Sequence, residues 1–481
     1  MNPYIIHYIL KSLLKISAEL NIAHILFVVV YIHMKVSISG IRGIYGHDLN
    51  LHEISKFTRL FASSPIIKSS DRQRRCVLAR DTRHSGRIIA QTVSANLMEQ
   101  GIDVYDLDVA PTPMVFREAR KYEAGLIVTA SHNPLEWNGL KFIVEGRGIF
   151  ENELTLMLRG AAPRTPSSDK FGKSFDVVSE YINEVVDLVS SRKEEELGNT
   201  VKVGFDPAGG ATCGYSDQLF KKLGHKFYSV NDIRGISSRS PDPTVDDLNE
   251  LRMLVIANKL DFGFAFDLDG DRLVVVNNRG EKLGPDATLL ICVASTISLL
   301  RMKKFVTSID TSLSVEKFIT QHGGKLDYSK VGEANVVNKM LQVDADAGGE
   351  GSSAGFIMPK FNKCRDGFLS SAIMSLLDRK IIDECLTFAS QYVQIRSKVP
   401  ADSLLHNKVI EKLNDLFVRE SSQVLTIDGV KAIIDDDSWV LVRPSNTEHA
   451  IRISVESTKD KAQSLYKEIT EKVQVAYGQV K

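Results

Sequence analysis

One arrangement of features recurs three times along this chain, and it narrows the available folds to one class. A short β-branched or aromatic run ends in aspartate, a helical stretch follows, a glycine-led segment leads into more strand, and an apolar run then opens into a polar loop. The first copy begins at residues 76–81 (C-V-L-A-R-D) and ends where Leu126-Ile127-Val128 runs into Thr129-Ala130-Ser131. The second begins at 201–206 (V-K-V-G-F-D) and ends where 262–266 (F-G-F-A-F) runs into Asp267. The third begins at 305–310 (F-V-T-S-I-D) and ends where 344–347 runs into Gly348-Gly349-Glu350. Strands alternating with helices predict βαβ units and a largely parallel sheet. The end of the chain differs: 439–442 and 450–455 read as two strands around a polar turn, followed by a helix from Lys459. The predicted fold class is therefore α/β, with three similar α/β domains on mixed, mostly parallel sheets plus a smaller α+β C-terminal domain.

A length of 481 residues suits about three or four such domains. Breaks are expected near 163–174, 280–286 and 396–402, which divides the chain into 34–170, 171–284, 285–397 and 398–481. Residues 1–33 are expected to be an extension outside the fold. Their apolar stretch, 22–32, is too short for a spanning helix, which needs about 20 apolar residues, and no small-residue cleavage site follows it. Lys+Arg and Asp+Glu are both 60, so the chain shows no general basic excess for a nucleic acid, although a local basic cleft remains compatible with that balance. The five cysteines are scattered, with no C-x-x-C, and fit a reducing cytoplasm rather than a disulfide frame or a zinc site.

Ligands of open α/β sheets sit beyond the carboxyl ends of strands, so three polar loops at three strand ends point to one site assembled between domains. Ser131 stands at such an end in T-A-S-H-N-P, where it is either a placed nucleophile or part of a plain turn. Lys141 follows in N-G-L-K, a surface position for most single lysines. Asp267, Asp269 and Asp271 alternate along D-L-D-G-D-R, and a loop bent at Gly270 lets them converge on one hard cation, Mg²⁺ or Ca²⁺ rather than zinc. An EF-hand is disfavoured, because Arg272 occupies the position where that loop needs glycine. Arg272 offers a fork of donors to a phosphate or carboxylate. G-G-E-G-S-S-A-G (348–355) is a loop that a ligand can approach closely, with Glu350 suited to a pair of sugar hydroxyls. R-P-S-N-T-E (443–448) combines a guanidinium, hydroxyls and backbone N–H groups, with Asn446 suited to the left-handed turn of an anion nest and Arg452 as a second guanidinium. Together these parts describe phosphoryl transfer on a sugar.

The set resembles the α-D-phosphohexomutase superfamily, which includes phosphoglucosamine mutase, phosphomannomutase and phosphoglucomutase. The matching stretches are S-G-I-R-G (39–43), T-A-S-H-N-P (129–134), N-G-L-K (138–141), D-L-D-G-D-R (267–272), K-V-G-E (330–333), G-G-E-G-S-S (348–353) and R-P-S-N-T-E (443–448), in family order. The first and sixth look most like archaeal-type phosphoglucosamine mutases. The resemblance implies four domains around a central cleft and an isomerase that interconverts hexose 6-phosphate and hexose 1-phosphate, glucosamine phosphate first among the substrates, with phosphomannomutase or phosphoglucomutase activity as the alternative. It implies a phosphoserine at Ser131, Mg²⁺ held by Asp267, Asp269, Asp271 and a phosphoserine oxygen, and a sugar 1,6-bisphosphate as activator and intermediate. Lys141 and Arg42 would border the moving phosphoryl group, with Lys141 as general acid/base and His132 polarising the same loop. Glu350 and Ser352 would bind sugar hydroxyls, with Arg272 and Lys330 also facing substrate. Arg443, Ser445, Asn446, Thr447 and Arg452 would hold the phosphate that is not reacting. The implied partner is a small hexose phosphate, with neither nucleic acid nor membrane.

The chain departs from the family pattern in three places. Ser353 and Ala354 fill a stretch where glycine is usual, His449 stands where proline often follows T-E, and Glu333 replaces a common aspartate. Two other classes compete. A haloacid-dehalogenase-type sugar phosphatase also uses D-x-D at a strand end, but it would leave the serine motif idle. A non-catalytic sugar-phosphate binder would not need the intact serine and aspartates.

Overall fold

The computed structural model describes residues 34–67, 73–160, 171–190, 201–445 and 449–481. The apolar stretch 22–32 and the extension 1–33 lie outside the described residues.

Four sheets carry the chain. The first runs, in spatial order, Lys35–Ser37, Gly40–Ile44, Trp137–Val144, Ala124–Val128, Arg75–Arg80, Asp103–Val109, Ser174–Asp176. The second runs Lys226–Ser229, Lys202–Asp206, Phe262–Phe266, Leu273–Asn277, and the third Lys325–Ser329, Lys304–Ser308, Ala347–Glu350, Gly355–Ile357. In each, the same four-strand motif appears: two parallel neighbours flank the opening strand, and the strand after them returns antiparallel. The recurrence in the sequence is therefore a recurrence of topology. The fourth sheet is wholly antiparallel, in the order Tyr392–Pro400, Ala450–Thr458, Ser438–Pro444, Val430–Asp435, Gln423–Leu425. Helices His406–Glu420 and Ala462–Val480 pack on it.

Two strands cross the expected domain limits. Ser174–Asp176 pairs with Asp103–Val109 in the first sheet, past the limit placed at residue 170. Tyr392–Pro400 opens the fourth sheet before the limit placed at 398. The first is a short edge strand with all three residues exposed, so it carries no apolar alternation to read.

The core follows from the strand sequences. Phe262–Phe266 is buried at all five positions, as a strand covered on both faces must be. Its rings stack on Phe220 and Phe368. One apolar cluster joins all three α/β units, with Val77, Phe205, Phe266, Phe305, Phe318 and Phe368 among its members. A separate cluster fills the C-terminal unit, including Val409, Val440, Ile453 and Val473. Among the described residues, no helix is long and apolar enough to cross a membrane.

Candidate active site

The three polar loops leave equivalent strands. Each joins the last parallel strand of its unit to the antiparallel return: 129–136 in the first, 267–272 in the second, 351–354 in the third. Because the units share one topology, these loops emerge at matching ends and meet over one cleft.

Ser131 is fully buried and sits at φ +53°, in the left-handed region. Its backbone N–H donates to Thr129 Oγ1 at 2.8 Å, and Thr129 in turn donates to Asp81 Oδ2 at 2.7 Å. Beneath the loop lies Arg83, which sequence reasoning missed. Its Nε pairs with Asp81 at 3.0 Å, and its Nη2 donates to the carbonyls of Ser131 (2.6 Å) and Asn133 (2.7 Å). Its Nη1 donates to the carbonyls of Trp137 (2.9 Å) and Pro134. All five guanidinium N–H groups are thereby used to hold one turn. The D-T-R run that ends the first strand is the only signal for it in the sequence.

The structure brings the predicted serine and aspartates together. Ser131 Oγ donates to Asp267 Oδ2 at 2.9 Å and lies 3.3 Å from His132 Nδ1. Asp267, Asp269 and Asp271 are buried, and each offers an oxygen within 4.8 Å of the others. Lys141 is no surface lysine: its buried ammonium donates to Asp269 Oδ2 at 2.9 Å and Asp271 Oδ2 at 2.8 Å. Thr112, also missed, donates to Asp269 Oδ2 at 2.7 Å. Burial, then repulsion from Asp269 and Asp271, pushes the Asp267 carboxyl well above its usual range. Burial opposes the charge on Asp271 too, but Arg365, Lys141 and Arg272 outweigh it and hold that carboxyl low. Burial, Arg272 and Arg42 lower His132, which keeps the imidazole neutral.

The donor set fits a hard divalent cation. It is all oxygen, and Asp269 Oδ1 and Asp271 Oδ1 are buried without a hydrogen-bond partner. A buried acceptor left unpaired is costly, and a cation removes that cost.

A cleft of about 1060 Å³ reaches this buried cluster through its neighbours His132 and Lys141, which line it. Arg42, His132, Lys141, Arg272, Glu350, Ser352, Arg443 and Arg452 line it, together with Arg365, Arg396 and Lys398, which the sequence did not flag. Nine lysine and arginine side chains, Lys35 among them, face Asp310, Glu333 and Glu350, so a chain of zero net charge presents a positive cleft suited to an anion. Arg272 is braced by Asp242 at 3.3 Å and reaches His132 Nε2 at 3.3 Å, which links the second unit to the serine loop. Glu350 Oε1 accepts from the Gly332 N–H at 2.6 Å, and burial raises its carboxyl. Ala354 adopts φ +51°, which gives a physical meaning to the glycine usual in that stretch.

On the C-terminal sheet Arg443 and Arg452 are directly opposite in register, and Arg452 Nε donates to Ser445 Oγ at 3.4 Å. His449 is taken up by Ser403 Oγ at 2.7 Å. Lys330 lines an adjoining cavity with Tyr328 and Asn335 rather than the main cleft. Asn446 and Thr447 lie outside the described residues.

The chain is similar to known proteins over most of its length. Family models of phosphoglucomutase/phosphomannomutase match in four pieces: alpha/beta/alpha domain I over residues 33–161, domain II over 179–280, domain III over 284–381, and the C-terminal domain over 395–472. A probable phosphoglucosamine mutase of Pyrococcus abyssi is 32% identical over 406 residues, 81% of this chain and 88% of that protein. A phosphoglucosamine/phosphogalactosamine mutase of Sulfurisphaera tokodaii is 30% identical over 442 residues, 87% of this chain and 94% of that protein. Among solved structures, a phosphoglucomutase/phosphomannomutase family protein from Burkholderia thailandensis shares the fold with a TM-score of 0.78 at 23% identity, covering 92% of this chain and 98% of that one.

Proposed function

The chain belongs to the phosphoglucomutase/phosphomannomutase family of isomerases, and from that premise we propose that it converts glucosamine 6-phosphate to glucosamine 1-phosphate through a phosphorylated Ser131 and a bisphosphorylated sugar. The observation that carries this reading is the 2.9 Å contact between the Ser131 hydroxyl and the buried aspartate triad, whose partner Lys141 lines a cationic cleft. The names of the archaeal relatives support the amino sugar over mannose or glucose.

Phosphoryl transfer is chiefly positioning and charge stabilisation. Arg83 and Thr129 hold Ser131 so that its oxygen points at the triad rather than into its own turn. Asp267, Asp269 and Asp271 would hold Mg²⁺, which when bound neutralises charge on the phosphoryl oxygens. Lys141, kept as an ammonium by its two carboxylates, would give a proton to the serine oxygen as the phosphoryl group leaves. Neutral His132 and Arg272 orient the same loop. Glu350 and Ser352 bind sugar hydroxyls. Arg443, Arg452 and Ser445, with Asn446 and Thr447, hold the idle phosphate. A guanidinium reads charge and planar geometry, so this clamp accepts phosphate from either end of the sugar. A bisphosphorylated sugar that turns over in the cleft then returns its second phosphoryl group to Ser131. Free, buried cysteines support a reducing compartment such as the cytoplasm.

A coupled assay primed with a sugar 1,6-bisphosphate tests the reading. Glucosamine 6-phosphate is expected to turn over faster than mannose 6-phosphate or glucose 6-phosphate. Faster turnover of either neutral sugar would replace the substrate, and release of inorganic phosphate without isomerisation would replace the reaction.

A further inference from the structure

We propose that Arg365 is a positioning residue that tunes the cation affinity of the aspartate loop and, through the same guanidinium, places Glu350 for the sugar. The inference rests on the reading of Asp267, Asp269 and Asp271 as a cation site and of Glu350 as a sugar ligand. Arg365 lies between strand Gly355–Ile357 and helix Gly367–Met374, outside every motif read from the sequence.

Its guanidinium meets carboxylates from three separate stretches. Nη2 pairs with Asp271 Oδ2 at 2.8 Å, Nε with Glu333 Oε2 at 3.1 Å, and Nη1 reaches Glu350 Oε2 at 3.5 Å. The Arg365 backbone N–H also donates to Glu333 Oε2, at 3.1 Å. One planar fork can serve three acceptors at fixed angles, whereas a lysine ammonium is a single compact charge. The side chain is only 10% exposed, so water screens these pairs little.

Two oddities of the third unit are explained by this residue. Gly355 has no unusual φ, yet a Cβ there would stand 2.1 Å from Arg365 Cδ, so the glycine makes room for the arginine stem. Glu333, where the family commonly has aspartate, anchors both the backbone and the side chain of Arg365.

The electrostatic consequence has a definite sign. A cation at the triad must share Asp271 with a fixed positive charge, so Arg365 weakens cation binding while it tethers the sugar loop to the metal loop. Removing the charge should tighten the cation and loosen the sugar. A merely structural role would weaken both.

The test is a calorimetric Mn²⁺ titration of the full chain without sugar, paired with steady-state kinetics on glucosamine 6-phosphate. Arg365→Met keeps the stem over Gly355 and removes the charge. It should bind Mn²⁺ about tenfold more tightly and raise the sugar-phosphate KM about tenfold. Arg365→Lys should keep the Mn²⁺ affinity of the unaltered protein while its KM still rises. Unchanged or weaker Mn²⁺ binding by folded Arg365→Met overturns the inference. Should that variant not fold, an unchanged KM in Arg365→Lys overturns it. An unaltered protein that binds no Mn²⁺ defeats the cation reading itself, and this inference with it; binding by the unaltered protein with no gain in Arg365→Met defeats this inference alone.

Discussion

Ser131 occupies a backbone conformation that costs a non-glycine residue about 1 kcal/mol, and its neighbours hold it there. Thr129 takes its N–H and Arg83 takes its carbonyl, so the hydroxyl is left to face Asp267. Ser131→Ala should abolish mutase activity and remove the phosphoryl mass from the intact protein while the thermal transition persists; normal turnover would refute the nucleophile. Arg83→Lys replaces five donors by one ammonium. Turnover should fall about a hundredfold with the sugar-phosphate KM little changed, because the loss lies in positioning rather than in substrate contact. A proportional rise in KM would mean that the cleft itself had collapsed. Asp269→Asn should lower Mg²⁺-dependent activity by at least about a hundredfold, read from rate against Mg²⁺ concentration. An unchanged metal requirement would count against the triad.

At the scale of elements, the three polar loops are one connection used three times, each between a parallel strand and its antiparallel return. The strands beneath them run so close that particular glycines cannot be replaced. At Gly348, φ is +152° and a Cβ would lie 1.8 Å from the Val306 carbonyl oxygen, which belongs to the neighbouring strand. Backbone cannot move aside as a side-chain tip can. Gly348→Ala should therefore destabilise the protein by about 3 kcal/mol or more in a denaturant melt, and a loss under about 1 kcal/mol would contradict the strand spacing.

Across the whole molecule, the C-terminal sheet docks on the third unit through buried charge. Lys431 is fully buried, donates to the Ile309 carbonyl at 2.9 Å, and lies over the rings of Tyr328 and Trp439. Glu456 accepts from the Leu313 N–H and Trp439 Nε1, both at 2.7 Å. Burial lowers Lys431 to about 8 and raises Glu456 to about 7. For Lys431 the folded value lies below the unfolded one, so the folded state releases the proton first. Its contribution to stability is lost as pH falls through about 8 and grows as pH rises above it. Glu456 has the opposite sign: its contribution is present below its ordinary value and is lost as pH rises through about 7. Lys431 should therefore add about 1 kcal/mol to stability between pH 7 and 9. Thermal melts of Lys431→Met should lack that rise; an identical pH profile would show that the lysine does not titrate in this window.

The linear chain by itself determined the α/β class, the threefold recurrence and the residue types of the proposed reaction, because strand periodicity and loop chemistry are local properties. Ser131 and the D-x-D-x-D run were legible for that reason. The edge strand Ser174–Asp176 was not, since three exposed residues carry no pattern. Only the tertiary structure decided that Lys141 is buried between two aspartates, that Lys330 faces a different cavity, and that Arg83, Thr112 and Arg365 belong to the site at all. Asp271 and Arg365 are separated by 94 residues and Thr112 and Asp269 by 157, and no local pattern encodes a contact over such spans. An arginine declares its charge in the sequence, but which carboxylates it neutralises depends on the packing of separate units against one another.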